Sequence, residues 1–482
     1  MSPYKVFAQR IGVIGVTTLA ISLSSILLLP ILTKTLPIQD YGIWVQTTVI
    51  TGLMPMVISL GLPNAMMRFL AAAKSKEEIS EGFYSIMLVL VCVTAIASLL
   101  FFLLATPIAD TLLNHNMQVA SLLPLLVFFT STNAFLLFYF RTFQQVKRFS
   151  TFQLFQAYLS LVLIVTALYA GFGLVGTIVG MLIAQIIVLL VMAFFIVREI
   201  GFIYPKFRNM REYFAFGLPA APVGLTSWIV DSSDRFIINI FLGTTFVGYY
   251  SPGYTLGNAV LLSSAPTNTL LPAALPKHYD ENEKHHVHTL LTYSLKYTLF
   301  IAIPAVFGLT LLSKPLLTVL ATPEIAQQGF MITPLVAIGG LLLVVSQIVG
   351  QTLVLEKKTR VLGTVWTAAA LVNLALNFVL VPYYGIVGAA ATTLAAYAIM
   401  FVFTLFYSRK GFQFGLNVKF IAKSLFASVV FSLVLIEWNP VGVVSVSASV
   451  FSCSLIYAGI VFALRGFSQD EITLFLSLFE RS

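Results

Sequence analysis

This chain predicts an all-α, polytopic membrane protein of about 14 transmembrane helices, and three observations lead there. Hydrophobic residues make up 59% of the 482 positions and charged residues 9%, against roughly 25% charged in a soluble domain. Mean hydropathy is +0.96. Apolar runs of spanning length, about 20 residues, recur along the whole chain between short polar connections.

The first series of runs lies near 11–33, 42–66, 82–105, 118–140, 152–172 and 174–197. A second lies near 215–242, 246–272, 289–312, 326–352, 361–381 and 385–407, and a third near 420–437 and 441–464. Charges interrupt the pattern between 231 and 246. Residues 11–33 are too long for a signal-peptide core and lack a cleavage site followed by a soluble domain, so they read as the first permanent helix.

Basic residues set the orientation. With both termini cytoplasmic, all but four of the 27 Lys and Arg fall in inner segments. The exceptions are Lys34, Arg235, Lys314, and Lys296, which sits in the first turns of an inner-side helix. This is the bias that the positive-inside rule demands, and it also supports an even number of spans. The net charge of +9 thus describes inner loops facing anionic lipid, with no nucleic-acid partner implied. The expected location is the cell (inner or plasma) membrane. Cys92 and Cys453 both lie in spans, so neither a disulfide framework nor a metal site is expected.

The chain partly repeats itself. GLVGTIVGMLIAQ (173–185) lies over GIVGAAATTLAAY (385–397), and LPIQDYGIW (36–44) over LGTTFVGYY (242–250), at nearly one offset. Six spans separate the equivalents, so both copies keep one orientation: a parallel repeat. The expected organisation is a six-helix lobe over 1–207, a second over 208–412, and two extra helices with a short cytoplasmic tail over 413–482.

Two stretches carry unusual chemistry. Residues 360–392 hold Asn373 and Asn377 on one face of an apolar helix, a Pro382–Gly385 turn, and a second helix opening on Gly388 to Ala391. Buried amides are costly unless they meet polar partners or water, and small residues let helices approach closely. Asp231, Asp234 and Arg235 lie at i, i+3 and i+4, on one helix face, with Arg235 roughly 10 Å from the helix end. They read either as a polar patch for a headgroup or coupling ion, or as an internal ion pair that locks the helix or caps an outer gate.

LTKTLPIQDYGIW (32–44), SLGLPNAMMRFLA (59–71), YFRTFQQVKRFS (139–150), SWIVDSSDRFIINIFLGTTFVGYYSPGY (227–254) and LEKKTRVLGTVWTAAALVNLALNFVLVPYYGIVGAAATT (355–393) together carry a family resemblance. The chain resembles the polysaccharide biosynthesis, O-antigen-translocase-type flippases of the multidrug/oligosaccharidyl-lipid/polysaccharide exporter superfamily. The resemblance implies two six-helix lobes around a cavity that opens alternately to either side. It also implies a polyprenyl-phosphate- or diphosphate-linked sugar as substrate. The family's basic residue at the outer end of helix 1 matches Lys34, where Arg is commoner; the charge is kept and bidentate geometry is lost.

Such a headgroup needs cations for its phosphates and amides or hydroxyls for its sugar. Arg10, Arg68, Arg141 and Arg148 lie near inner helix ends, Lys34 and Arg235 on the outer side, and Asn64 one turn before Arg68. Orientation alone would also place the inner arginines. Asn133, Asn258, Asn268, Gln347, Gln351, Asn373 and Asn377 serve either sugar and water or interhelical hydrogen bonds. His278, His285, His286 and His288 lack an ordered ligand spacing and read as a solvated loop. No Walker loop, H-E-x-x-H or G-x-S-x-G is present, so no enzyme activity or cofactor is expected. Energy would come from an H+ or Na+ gradient, the membrane potential, or consumption of product, and pathway enzymes are the expected protein partners.

The sequence reading is therefore a lipid-linked oligosaccharide flippase working by alternating access. Its rivals are a cation-coupled multidrug exporter of the same superfamily and a membrane glycosyltransferase, ligase or polymerase of the same pathway. The two helices beyond twelve favour the flippase, because they offer a groove for a lipid tail.

Overall fold

The computed structural model describes residues 3–281, 283–409, 415, 417–468 and 471, apart from the side chains of 3–11, 220, 222, 223, 269, 273 and 277. Most of the described residues are helical, with no strand among them. They group into two compact units: Met1–Ser251 with Ala370–Ala389, and Pro252–Ala369 with Ala390–Ser482. The lobe boundaries at 207/208 and 412/413 remain an expectation.

The first unit runs through α1 (Pro3–Thr35), α2 (Ile38–Ile58), α3 (Leu62–Phe69), α4 (Lys76–Leu103), α5 (Ala105–Leu112), α6 (Met117–Thr142), α7 (Val146–Tyr169), α8 (Gly173–Ile200), α9 (Met210–Gly217) and α10 (Ala221–Leu242). Local chemistry sets several ends. The Ser75 hydroxyl accepts the Glu78 N–H at the start of α4, and Asn116 Oδ1 accepts that of Val119 at the start of α6; both are side-chain N-caps. Gly61, at φ +69, starts α3 where a Cβ would lie 1.9 Å from the Gly217 carbonyl oxygen, so only glycine fits. The core holds Ile50, Leu62, Ile86, Val127, Tyr139 and Val188.

Further on come α11 (Thr244–Asn258), α12 (Ala265–Asp280), α13 (Lys284–Leu311), α14 (Ser313–Leu320), α15 (Pro323–Gly329), α16 (Ile332–Leu355), α17 (Thr359–Arg409), α18 (Val418–Trp438) and α19 (Gly442–Ala463). In the second unit α12, α13 and α16 share a core of Leu271, Leu291, Leu295 and Ile348. A separate cluster of Phe420, Phe431, Leu435 and Tyr457 joins α18 to α19.

Eleven of these helices are long and apolar enough to cross a membrane. Their outward faces are apolar, with Leu99, Phe102, Val444 and Phe451 all exposed. Such faces are a liability in water and ordinary in lipid. The protein is multi-pass. The count of 14 read from the sequence goes beyond these eleven. At 1.5 Å per residue, the 51-residue α17 would be about 76 Å long, over twice the ~30 Å hydrocarbon core; it breaks at Gly385 (φ 60, ψ −145) into two halves of spanning length. Asp231, Asp234 and Arg235 lower the hydropathy of α10. The run read as a span at 246–272 is α11, a 3-10 stretch (Ala259–Ser264) and α12. The break is that 3-10 stretch, next to Pro266, which has no N–H to donate back to it; α12 then runs unbroken through Pro272 and Pro276 to Asp280.

The repeat is visible in the element order. α4 and α5, of 28 and 8 residues, start at Lys76 and Ala105; α13 and α14 have the same lengths and start at Lys284 and Ser313, the same separation apart. It is also a contact inside the first unit. A Cβ at Gly42 would lie 1.9 Å from the Thr244 carbonyl oxygen, and one at Gly248 2.7 Å from that of Ile38. Ile38 and Gly42 occupy the repeat positions of Thr244 and Gly248. Each glycine meets the other helix's first residue, the reciprocal pattern of a two-fold relation.

Candidate functional site

The charged face of α10 is a closed cluster. Arg235 Nη1 donates to Asp234 Oδ1 at 3.1 Å and to the Asp231 carbonyl oxygen at 2.7 Å. The Tyr250 hydroxyl, from α11, donates to Asp234 Oδ2, and the guanidinium lies 5.7 Å from the Tyr250 ring centroid. Asp234 is 0% exposed and Arg235 8%, while Asp231 is half-buried. One turn further on, Asn239 Nδ2 donates to the Leu112 carbonyl oxygen at the end of α5 (3.0 Å). Arg235, Asp234 and Asn239 thus tie α10 to its own backbone, to α11 and to α5, respectively. Burying a charge pair repays its desolvation only when the remaining donors and acceptors are satisfied, and here they largely are.

Asn373 and Asn377 are each 0% exposed. Asn377 Nδ2 donates to the Asn373 carbonyl (3.0 Å) and to Asn373 Oδ1 (3.2 Å), so the two amides meet as the one-turn spacing expects. Asn377 Oδ1 is buried and finds no partner among the described residues. Past the Gly385 break, Gly388 allows the close approach expected of the small-residue run: a Cβ there would lie 2.6 Å from the Leu380 carbonyl oxygen.

The remaining candidates are spread out. Lys34 and Arg68 are exposed and Asn64 is half-buried; no hydrogen bond joins the Asn64 and Arg68 side chains. The Arg10 side chain lies outside the described residues. Arg141 is exposed, with its guanidinium 5.8 Å from the Phe138 ring centroid. Arg148 is neutralised by Glu199. His278, in the last turn of α12, has its Nδ1 2.6 Å from Glu283 Oε2, and Glu281 completes a group whose ligand atoms lie within 4.8 Å of one another; His285, His286 and His288 open α13, so the histidines read as a solvated loop sit on two helix ends.

Sequence reasoning missed a second buried cluster. Lys296, expected in the first turns of its helix, lies roughly three turns into α13 and is 7% exposed. Its ammonium donates to both Glu471 oxygens at 2.8 Å and sits 4.9 Å and 5.2 Å from the Phe467 and Phe420 ring centroids. The Tyr297 hydroxyl donates to Glu471 Oε1 at 3.1 Å. Ser468 and Glu471 form a capping box: the Ser468 N–H donates to Glu471 Oε2 (2.7 Å) and the Glu471 N–H to Ser468 Oγ (3.3 Å). Burial alone would raise the Glu471 carboxyl, but the hydrogen bonds from Lys296 and Ser468 outweigh it and hold the group below its ordinary value. Gln46 was also missed. It is 0% exposed, with neither amide atom hydrogen-bonded among the described residues.

Comparison with known proteins adds to this geometry. Residues 31–325 match the family described as polysaccharide biosynthesis protein. The chain belongs to that family. A relative in Haloferax volcanii, named probable low-salt glycan biosynthesis flippase Agl15, is 24% identical over 280 residues, 57% of this chain and 53% of that protein. The chain spans about half the length of the curated relatives it matches first. In fold it is similar to lipid II flippase MurJ in an inward closed conformation (TM-score 0.72, 15% identity, 95% of this chain and 98% of that one). It is also similar to an inward-facing multidrug resistance MATE family transporter of the MOP superfamily (TM-score 0.60, 14% identity, 82% and 98%). The fold of this family member is therefore the MurJ/MATE type.

Proposed function

We propose that this protein moves a polyprenyl-phosphate- or diphosphate-linked oligosaccharide from the cytoplasmic to the outer leaflet by alternating access. The observation that carries the reading is the polysaccharide biosynthesis family match over residues 31–325, beside relatives named probable flippases. The likeness to the lipid II flippase takes in 95% of this chain, that to the exporter 82%, a margin large enough to hold α18 and α19.

Chemistry inside the second unit supports a lipid-linked substrate. A cavity of about 480 Å³ lies between α13, α18 and α19, lined by Phe300, Pro304, Phe431, Leu435, Cys453 and Tyr457 among others. Its lining is overwhelmingly apolar and suits an isoprenoid chain. Phosphate and sugar cannot enter hydrocarbon unsolvated, whereas a tail kept in apolar surroundings pays no dehydration on crossing.

In this reading both termini face the cytoplasm, an orientation that the distribution of basic residues supports. Arg10, Arg68 and Asn64 meet the headgroup on the inner side and Lys34 on the outer. Asp231, Asp234 and Arg235 act as a gate whose closed form is held by Tyr250. Asn373 and Asn377, buried and paired here, meet the hydrated path only when it opens. An H+ or Na+ gradient supplies any energy, and enzymes of the glycan pathway supply and consume the substrate. The protein is a transporter and catalyses no covalent step.

Reconstitution tests this. In liposomes the purified chain should move a labelled polyprenyl-diphosphate sugar between leaflets and leave soluble cationic drugs in place. Expulsion of those drugs against a gradient, with no movement of lipid-linked sugar, would make it an exporter instead.

A further inference from the structure

We infer that the second unit holds a subsite for one neutral sugar ring, built between α12, α16 and both halves of α17. Its identity as a sugar site rests on the flippase reading; its existence as a polyol site does not.

The cavity measures about 260 Å³ and is lined by Asn268, Gln347, Gly350, Gln351, Trp366 and Thr404, with Ser346, Leu362 and Met400. At roughly 30 Å³ per water it has room for eight or nine waters, or for a single ring that displaces them. None of the lining residues is charged, so neither a phosphate nor a cation gains a counter-ion here. This separates the subsite from every basic candidate described above.

The polar groups are of the kinds that hydroxyls need. A sugar hydroxyl both donates and accepts, and each Asn or Gln amide offers an acceptor oxygen and two donor hydrogens. Asn268 Nδ2 is already used: it donates to Gln347 Oε1 (2.8 Å) and Ser264 Oγ (3.1 Å). That joins α12 to α16 and fixes both amides, leaving Asn268 Oδ1 to accept and Gln347 Nε2 to donate. Gln351, one turn beyond Gln347, makes no hydrogen bond among the described residues, nor does the Trp366 indole N–H. An indole adds a flat apolar face beside its polar N–H, which suits a ring that is apolar on its faces and polar at its rim. Plain helix-to-helix bonding accounts for the Asn268–Gln347 pair. It accounts for neither Gln351 nor Trp366.

Gly350 keeps the space open. A Cβ there would stand 3.4 Å from Leu362 Cδ1 and 3.7 Å from Thr404 Cγ2, both in the lining. Any longer side chain at 350 grows into the cavity without altering an amide.

The chain has four tryptophans, so replacing Trp44, Trp228 and Trp438 by Phe leaves Trp366 as the only indole reporter. The full chain in nanodiscs is titrated with methyl glycosides of hexoses and N-acetylhexosamines, and separately with inorganic phosphate. A saturable change in Trp366 emission is expected with at least one glycoside and none with phosphate. Gln351→Ala should weaken it about tenfold, the loss of one neutral hydrogen bond. Gly350→Leu should abolish it. Indifference to every glycoside, an equal response to phosphate, or an unchanged response in Gln351→Ala overturns the subsite. If the wild type moves lipid-linked sugar in liposomes and Gly350→Leu moves it equally fast, the subsite falls and the flippase reading stands. If the wild type moves none while glycosides still bind at Trp366, the subsite stands and that reading falls.

Discussion

Two buried clusters in this protein use the same three parts, a cation, a carboxylate and a tyrosine hydroxyl, for different ends. In the first unit Asp234 and Arg235 are sequence neighbours on α10, and Tyr250 on the next helix closes the cluster. In the second, Lys296 on α13 meets Glu471 beyond α19, with Tyr297 beside it. The first cluster restrains helices that the chain already places side by side. The second ties the segment after α19 across a long stretch of sequence to α13, so breaking it releases a tertiary contact. Reach along the chain, more than the chemistry of the pair, separates a gate from a latch. We propose that the α10 cluster acts in transport and the Lys296 cluster in the scaffold.

That division can be broken most easily at the latch. Lys296→Met or Glu471→Gln alone should destabilise the protein on the order of 3–5 kcal/mol by leaving a buried partner uncompensated. Replacing both with apolar residues should recover most of that loss. Thermal unfolding in detergent reads it; single variants as stable as the wild type would remove the latch from the account. The tyrosines sharpen the contrast with a smaller effect. Tyr297→Phe should cost about 1–2 kcal/mol of stability at an unchanged transport rate per folded molecule. Tyr250→Phe should change the rate as well, and equal behaviour of the two variants would erase the distinction.

The smallest effect is in pH. Because the folded Glu471 carboxyl is held below its ordinary value, its contribution is present in full above the unfolded value and is lost as pH falls through the folded one. The stability gap between wild type and Glu471→Gln should therefore stay constant from neutrality down to about pH 4.3 and narrow only below it. A gap that closes near pH 6 would mean the carboxyl is not held low.

The sequence made the fold class legible because hydropathy is a local property, and the parallel repeat because two segments retain it. It blurred the region of α11 and α12, where a 3-10 stretch divides one apparent apolar span into pieces. Asp231, Asp234 and Arg235 were conspicuous because intramembrane charges are rare. Their acceptor chemistry was not, because Tyr250 sits on another helix. Lys296 looked like one more inner-side cation, since nothing local points to Glu471. Trp366 and Gln46 stood in plain view as ordinary span residues; only packing shows that one lines a polar cavity and the other is buried.

The transport rate of Arg235→Ala set beside that of Lys296→Met is the measurement that tests the division most directly. Both are reconstituted in liposomes carrying a labelled polyprenyl-diphosphate sugar, at a temperature where each remains folded, with inserted protein quantified. Arg235→Ala should flip at least about tenfold more slowly per inserted molecule, a barrier change near 1.4 kcal/mol, while Lys296→Met flips near the wild-type rate. Wild-type flipping by Arg235→Ala at normal insertion would contradict the assignment of the α10 cluster to transport.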